Sequence, residues 1–409
     1  MPSQHAILAP SAAKRWLACT PSARLEAQIP KPDTAYTIEG TIAHAIAENI
    51  LRELTDNDVH SCPDYQDVWT AYQKGQFAQE YLNDLKGWEQ KAKEQELDFA
   101  DIFETVYEGY CRLVLEDYLE AWNQDKDAVL KIEQRLKLDE FIPEGFGSSD
   151  SVLIYNDCLN VKDLKFGKGV KVDSEQNPQM MCYALGALCS LGELYDIKRV
   201  KMDILQPRLK HYSSWEISAK ELLTWAVKVL KPAAEKAFRG EGEYVAGEHC
   251  HFCAAAGRCK ALKATAEVIV KAGEQPELMT DEELAVALVN LETVKGWIKA
   301  VEDTALSHML AGGKVPGFKI VEGKSLRKIG DQAAAIKALA DAGFIESDFM
   351  KPAELRTITD LEKLLRKQGF QQLLGPYVIK PQGKATIAPE SDPRPAMGDA
   401  ASDFDNVKL

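Results

Sequence analysis

No stretch of the sequence approaches the 18 or so consecutive apolar residues needed to span a bilayer, so a soluble protein with no membrane partner is expected. The N-terminus, Met-Pro-Ser-Gln-His, lacks the basic stretch and apolar core of a secretory signal, and nine cysteines are an odd number for a disulfide framework. Reduced thiols in a cytoplasm are therefore expected. A Gly-x-x-x-x-Gly-Lys-Ser/Thr phosphate loop is missing, which excludes a P-loop helicase. Positive charge is also scarce, with 49 Lys and Arg against 63 Asp and Glu, a formal charge of −14. Such a balance ordinarily argues against a polyanionic partner.

The shortage is local. Residues 51–130 hold 7 basic against 19 acidic side chains, a net of −12, and the rest of the chain is nearly neutral. Two basic clusters stand in that remainder, Lys162 to Lys171 and Lys198 to Lys201 continuing through Arg208 and Lys210, and either suits a phosphate backbone or a plain solvated face. At 409 residues and 45% hydrophobic, the chain is long enough for one large core or two to three smaller ones.

Periodicity divides the chain. Ile42, Ile46, Ile50 and Leu54 recur every four residues and predict a helix that carries His44. Phe103, Tyr107, Tyr110 and Val114 continue the helical spacing through the acidic region. From Val129 the pattern alternates as a strand does, and Ser151–Tyr155 and Cys158–Val161 flank an Asn156-Asp157 turn, predicting a hairpin. Asn177 and Pro178 supply an N-cap and a first-turn proline for a helix beginning at Gln179. Thr280-Asp-Glu-Glu283 is a capping box opening a long helix that ends near Gly312-Gly313. Shorter helices are expected at 331–342 and 359–368, and the Pro, Asp, Ser and Ala-rich end is expected to be disordered.

Within the hairpin, Asp163 and Lys165 alternate onto the same strand face, and Asp150 opens the neighbouring strand. Two carboxylates beside an ammonium suit a hard divalent cation, magnesium or manganese, of the kind phosphodiester hydrolysis employs. An isolated Asp-x-Lys is more often a surface charge pair. His44 alone is more often a histidine at the edge of a helix face. Gln179 and Tyr183 lie four apart, on one helix face. Cys250, Cys253 and Cys259 fall within ten residues, and Cys19 lies in Trp-Leu-Ala-Cys-Thr-Pro near the other end.

In order, Cys19, Gly40-Thr-Ile-Ala-His44, Gly147-Ser-Ser-Asp150, Asp163-Leu-Lys165, Gln179-Met-Met-Cys-Tyr183 and the three clustered cysteines resemble a RecB-type nuclease of the PD-(D/E)XK superfamily. The subclass is the iron–sulfur one, which includes the AddB nuclease domain and CRISPR-associated RecB-like nucleases. The resemblance covers roughly residues 11–47 and 129–262. It implies an α/β, restriction-endonuclease-like core with a helical insertion and a helical C-terminal extension. The segments would be 1–50 (cluster ligand and first core helix), 51–128 (acidic insertion), 129–265 (core and remaining cluster ligands), 266–385 (extension) and 386–409 (tail).

The resemblance further implies metal binding by Asp150, Asp163, the Leu164 carbonyl and His44, with Gly40 letting the helix pack closely. Lys165 would orient the attacking water, Gln179 and Tyr183 would contact the DNA backbone, and Glu48 is a candidate to orient the imidazole. Cys19, Cys250, Cys253 and Cys259 would hold a [4Fe-4S] cluster. Zinc on the same cysteines, with or without His251, is the chemical alternative. Cys62, Cys111, Cys158, Cys182 and Cys189 read as ordinary core or surface residues. The activity implied is a DNA exonuclease acting on ends or single strands. By analogy with phage and prophage RecB-like proteins, it would work in a bacterial cytoplasm beside a strand-annealing recombination protein. The competing class is a non-catalytic DNA-end or protein-binding module, which would have no use for His44, Asp150, Asp163 and Lys165 together.

Overall fold

The computed structural model describes residues 6–29, 35–57, 61–192, 195–272 and 280–320, with the isolated positions 371, 374 and 378. The chain divides into two units, 1–321 and 322–409, and the first holds the sheet and the helices that surround it. The helices expected at 331–342 and 359–368 and the tail from 386 lie outside the described residues.

Helices α1 (Ala13–Ala18) and α2 (Ser22–Glu26) carry the first cysteine segment. The long α3 (Ala35–Asp56) comes next, then α4 (Tyr65–Gln73), α5 (Gln79–Glu94), α6 (Phe99–Val106) and, after a π turn at Tyr107–Cys111, α7 (Arg112–Gln124). Strands β1 (Val129–Lys137), β2 (Phe146–Tyr155) and β3 (Cys158–Leu164) form a meander. Helix α8 (Pro178–Leu191) crosses over to β4 (Arg199–Gln206), which turns back into β5 (His211–Ser218). Helices α9 (Ala219–Trp225), α10 (Lys231–Arg239), α11 (Lys260–Ala272) and α12 (Asp281–Leu310) complete the unit.

The sheet order is β1-β2-β3-β4-β5, antiparallel throughout except for the parallel β3–β4 pair that α8 bridges. The fold is therefore mixed α/β. The expected hairpin turn is present, with Asn156 at φ +50°, a conformation its short polar side chain tolerates. Asn177 caps α8 by accepting from the backbone N–H of Gln179 at 3.0 Å, with Pro178 in the first turn. Thr280 and Glu283 form the capping box of α12.

The sheet is covered on both faces. On one, Leu136, Val152, Ile154, Val161 and Ile204 pack under α8 and residues of α1, α9 and α10. On the other, Leu164 and Leu205 join Ile42, Ile46 and Ile50 of α3 and the aromatic ridge Phe103, Tyr107 and Tyr110. Helix α3 runs unbroken across residue 50, and the acidic helices share its core. Among the described residues, no helix is long and apolar enough to cross a membrane.

Lys162 corrects one reading. Its strand register turns it into the protein, 2% exposed, where it pairs with Asp117 of α7 and Asp203 of β4, so it contributes nothing to a basic surface. The second basic cluster is likewise largely engaged: Arg199 pairs with Asp157 and Glu216, Lys201 with Asp203, and Arg208 is buried against Glu39 and Asp101.

Candidate active site

The site forms where the β1–β2–β3 ladder opens. Backbone pairing runs Ile132↔Ser151 and resumes at Gln134↔Ser149, leaving Glu133 and Asp150 opposite one another and unpaired. Glu133 holds φ +46°, the left-handed region, which a non-glycine residue in a strand adopts only when its surroundings demand it. On the other side the β2–β3 ladder ends at Ser151↔Lys162. There the Asp150 carboxylate takes over from the backbone: Oδ2 accepts from the Leu164 N–H at 2.6 Å.

Helix α3 brings His44 over this opening, with Nδ1 at 3.2 Å from Asp150 Oδ1. His44, Glu133 and Asp150 each place a ligand atom within 4.8 Å of the others, a grouping able to hold a metal ion. Glu133 is the residue that sequence reasoning missed. Its strand was legible but its register was not, because the irregular connection of residues 138–145 hides which β1 residue faces Asp150.

Asp163 and Lys165 stand beside this triad as a second pair, Nζ at 3.0 Å from Oδ2. The Asp163 side chain is 4% exposed, and Oδ2 accepts no hydrogen bond of ordinary geometry, a buried acceptor left with spare capacity. Gln179, in the first turn of α8, bridges the pair: Oε1 accepts from Lys165 Nζ at 3.0 Å, and Nε2 donates to Asp163 Oδ1 at 3.1 Å and lies 3.2 Å from the Tyr183 hydroxyl. Leu164 engages the cluster through its N–H.

Two glycines expected to matter differ. A Cβ at Gly147 would come within 2.9 Å of Pro10 and 3.0 Å of the Tyr183 ring, so a side chain there would require Pro10 or Tyr183 to shift. A Cβ at Gly40 would meet nothing within 4 Å, so close packing does not explain that glycine. Glu48 pairs with Arg52 at 3.0 Å, not with His44.

Charge crowding sets the protonation. Burial opposes the imidazolium, but Asp150, with help from Asp163 and Glu133, outweighs it and pushes His44 up to about 9. Burial, and then the Asp150 charge, push Glu133 up to about 7. For Asp150, burial would raise the pKa, yet His44, the Leu164 N–H and Lys165 hold it below the usual carboxylate range. Asp163 goes the other way, raised by burial and by Asp150 against the pull of Lys165. Three carboxyls and a histidine thus share protons in the absence of a cation, which is the donor chemistry a divalent ion satisfies.

The second site lies where the chain ends of the core meet. Cys19, Cys250, Cys253 and Cys259 line one cavity together with Arg15 and His249. All nine cysteines are free thiols. Burial raises Cys19 and Cys250 and pushes Cys253 up to about 11. Among the described residues no three of these sulfurs lie within 4.8 Å of one another. Sulfurs bound at about 2.3 Å around a tetrahedral zinc would sit about 3.8 Å apart, so the four thiols share a cavity without being gathered into a metal cluster. His251 does not line it and packs edge-on against Phe252, at 4.5 Å between ring centroids.

Non-cysteine bonds hold this cavity's walls. Arg15 pairs with Glu26 at 2.5 Å, the two side chains 12% and 8% exposed, and Glu26 Oε1 accepts from the Ala254 N–H, next to Cys253, at 2.8 Å. Thr20 donates to the Glu241 carbonyl at 2.5 Å, and Arg24 donates to the Phe238 carbonyl at 2.5 Å while lying over its ring. Helix α12 covers the cysteine loops from outside. A Cβ on Gly257 would strike its Ala300 carbonyl at 2.3 Å and Thr304 Oγ1 at 2.1 Å.

Over residues 5–395 the chain matches the family described as protein of unknown function, DUF2800, and it belongs to that family.

Proposed function

We propose that this DUF2800 protein is a metal-dependent deoxyribonuclease of the RecB-like PD-(D/E)XK type, acting as an exonuclease on DNA ends or single strands. The observation that carries this reading is the convergence of His44, Glu133 and Asp150 within 4.8 Å, beside the Asp163–Lys165 pair that Gln179 bridges. A non-catalytic binding module has no need to concentrate three carboxyls, an imidazole and an ammonium at a broken sheet edge. Their mutual repulsion and burial work against the fold unless the group serves chemistry.

Magnesium or manganese would be held by Asp150, Asp163, Glu133 and His44. When bound, such an ion withdraws charge from a phosphoryl oxygen and acidifies water. The remaining roles belong to the protein. Lys165 offers a fixed ammonium, 29% exposed, to the charge that develops on the phosphoryl group in the transition state. Gln179 keeps that ammonium beside Asp163, and Tyr183 fixes the Gln179 amide, so both residues act on the site's geometry; Tyr183 is buried, and of the two only Gln179 is partly exposed toward a DNA backbone. The motif of four cysteines, which line one cavity, supports a [4Fe-4S] cluster as part of this reading, with zinc as the alternative; a cluster there would tie the first helices to the end of the core. A role in recombination beside a strand-annealing protein rests on analogy with phage RecB-like proteins.

The test is to incubate protein purified without oxygen with end-labelled linear DNA and manganese. The wild type should release short products, and Asp163→Asn and Lys165→Ala should each lower the rate by about a thousandfold or more while leaving the melting temperature nearly unchanged. Wild-type cleavage by either variant would overturn the assignment.

A further inference from the structure

The connection from β3 to α8 starts at Lys165, and its tip, Gly167-Lys-Gly-Val-Lys171, is exposed throughout, with Val170 at 49%. Both its ends are fastened. Phe166 is buried at 3% with the Arg208 guanidinium 4.5 Å over its ring. Beyond the tip, Gln206, 2% exposed, spends both ends of its amide on this segment: Oε1 accepts from the Val172 N–H at 2.7 Å and Nε2 donates to the Val170 carbonyl at 2.9 Å. Ser174, fully buried, is held through its N–H and hydroxyl by Ser213, at 2.9 and 3.0 Å, and Asp173 by His211 at 2.8 Å.

A buried glutamine whose two amide ends are given to one connection makes that connection a rigid ledge. The ledge bears Lys168 and Lys171 with no acidic residue from Leu164 to Val172, and the nearest carboxylate to Lys171 is Asp173 at 4.0 Å. Cβ atoms at Gly167 and Gly169 would meet nothing within 4 Å, so the backbone here is open to close approach by a ligand.

We infer that this ledge grips the phosphate backbone of the DNA strand that leads away from the candidate active site, with Lys168 and Lys171 as the contacts and Gln206 as the positioning residue. The inference rests on the nuclease reading and adds to it a strand path and the residues that set it. Ordering the ledge in advance removes the entropy that binding would otherwise spend on it. Continuity with Lys165 favours a phosphodiester strand over an acidic protein, because the ledge leads directly into the carboxylate cluster.

The experiment measures anisotropy of a fluorescein-labelled oligonucleotide, single-stranded and duplex, bound to the whole protein in EDTA from about 50 to about 200 mM salt. Lys168→Ala/Lys171→Ala should weaken binding about tenfold in that range and reduce the slope of log affinity against log salt by about 1.5. Both lysines are exposed, so the variant should fold as the wild type does. Gln206→Leu, which keeps the charges but frees the ledge, should weaken binding with the slope unchanged. Wild-type binding with an unaltered slope in the double-lysine variant overturns the ledge assignment alone. Absence of wild-type binding brings down the nuclease reading with it. Displacement of the oligonucleotide by poly-glutamate as readily as by unlabelled DNA would overturn the choice of nucleic acid as the occupant.

Discussion

The carboxylate site and the cysteine cavity both gather residues from distant parts of the chain, but by opposite means. At the first, the donor groups themselves hold the geometry: Asp150 accepts from Leu164, and Gln179 ties Lys165 to Asp163. At the second, the thiols make long contacts to backbone groups, such as Cys19 Sγ to the Glu243 carbonyl at 4.0 Å and Cys250 Sγ to that of Val245 at 3.8 Å. The segments that carry them are tied together by bonds of Arg15, Glu26, Thr20 and Arg24. A site whose ligands are its own scaffold is sensitive to any change in them. A site with separate scaffolding can lose a ligand and keep its shape.

The sharpest break of that contrast is expected in metal-free protein. Arg15→Leu removes the guanidinium from a buried ion pair, though Glu26 keeps the Ala254 N–H, and should destabilise the fold by about 2 kcal/mol. Cys19→Ser should change stability by less than about 1 kcal/mol, since the thiol makes no strong bond there. Urea unfolding of the two variants checks this. Equal losses would mean that the thiols, not the ion pair, hold the cavity.

At the other site, Gln179→Leu should lower nuclease activity by about 10- to 100-fold with binding of DNA in EDTA little changed, as is usual when the support of a metal site is removed. Gln179→Glu should restore part of the loss at Lys165 but not at Asp163. Activity unaffected by Gln179→Leu would show that the Asp163–Lys165 pair positions itself.

Protonation sharpens the comparison further. Without metal, the imidazolium of His44 stabilises the fold fully below the ordinary histidine pKa, and that contribution is lost as pH rises through about 9. Glu133 moves stability in the same direction over a lower window: with its carboxyl pushed up to about 7, stability falls progressively as pH climbs from the ordinary carboxylate range to that value. A bound cation must displace both protons. Manganese affinity should therefore rise by up to about a hundredfold per pH unit below about pH 7, where both protons are displaced, and by up to about tenfold per unit from there to about pH 9, with proton release seen by calorimetry in buffers of different ionisation heat. A flat profile would remove His44 from the ligand set.

The smallest effect is expected in the acidic helices. Exchanging several exposed carboxylates of α4 and α5, such as Asp67, Glu80 and Glu94, for lysine should change DNA cleavage only modestly, through attraction at low salt. A large gain that survives at high salt would place the strand along these helices.

How much the sequence disclosed depends on range. The hairpin, the α8 cap and the α12 capping box depend on neighbours in the chain, and each appears where local chemistry puts it. Asp150, Asp163 and Lys165 were also legible, because a two-residue turn fixes the β2–β3 register. Glu133 was hidden behind a connection of no regular pattern, and its left-handed backbone carries no residue signature. Lys162 was misread because alternation separates two faces without saying which is covered, and here α7 and β4 supply the carboxylates that bury it. Gln179 was found by spacing, yet its bridging of Lys165 and Asp163 emerges only when the turn of α8 is set against β3.

The stitching of the first helices to the end of the core has a consequence for synthesis. Thr20, Arg24 and Glu26 meet partners more than two hundred positions later, at Glu241, Phe238 and Ala254. While the chain is emerging from a ribosome, the opening segment can pack on β2 and α8 but lacks these fastenings until nearly all of the core has been made. Those long-range bonds stay unmade for that whole interval. A nascent chain stalled before residue 238 should leave the first helices unfastened and open to proteases, and release of the next twenty or so residues should protect them together.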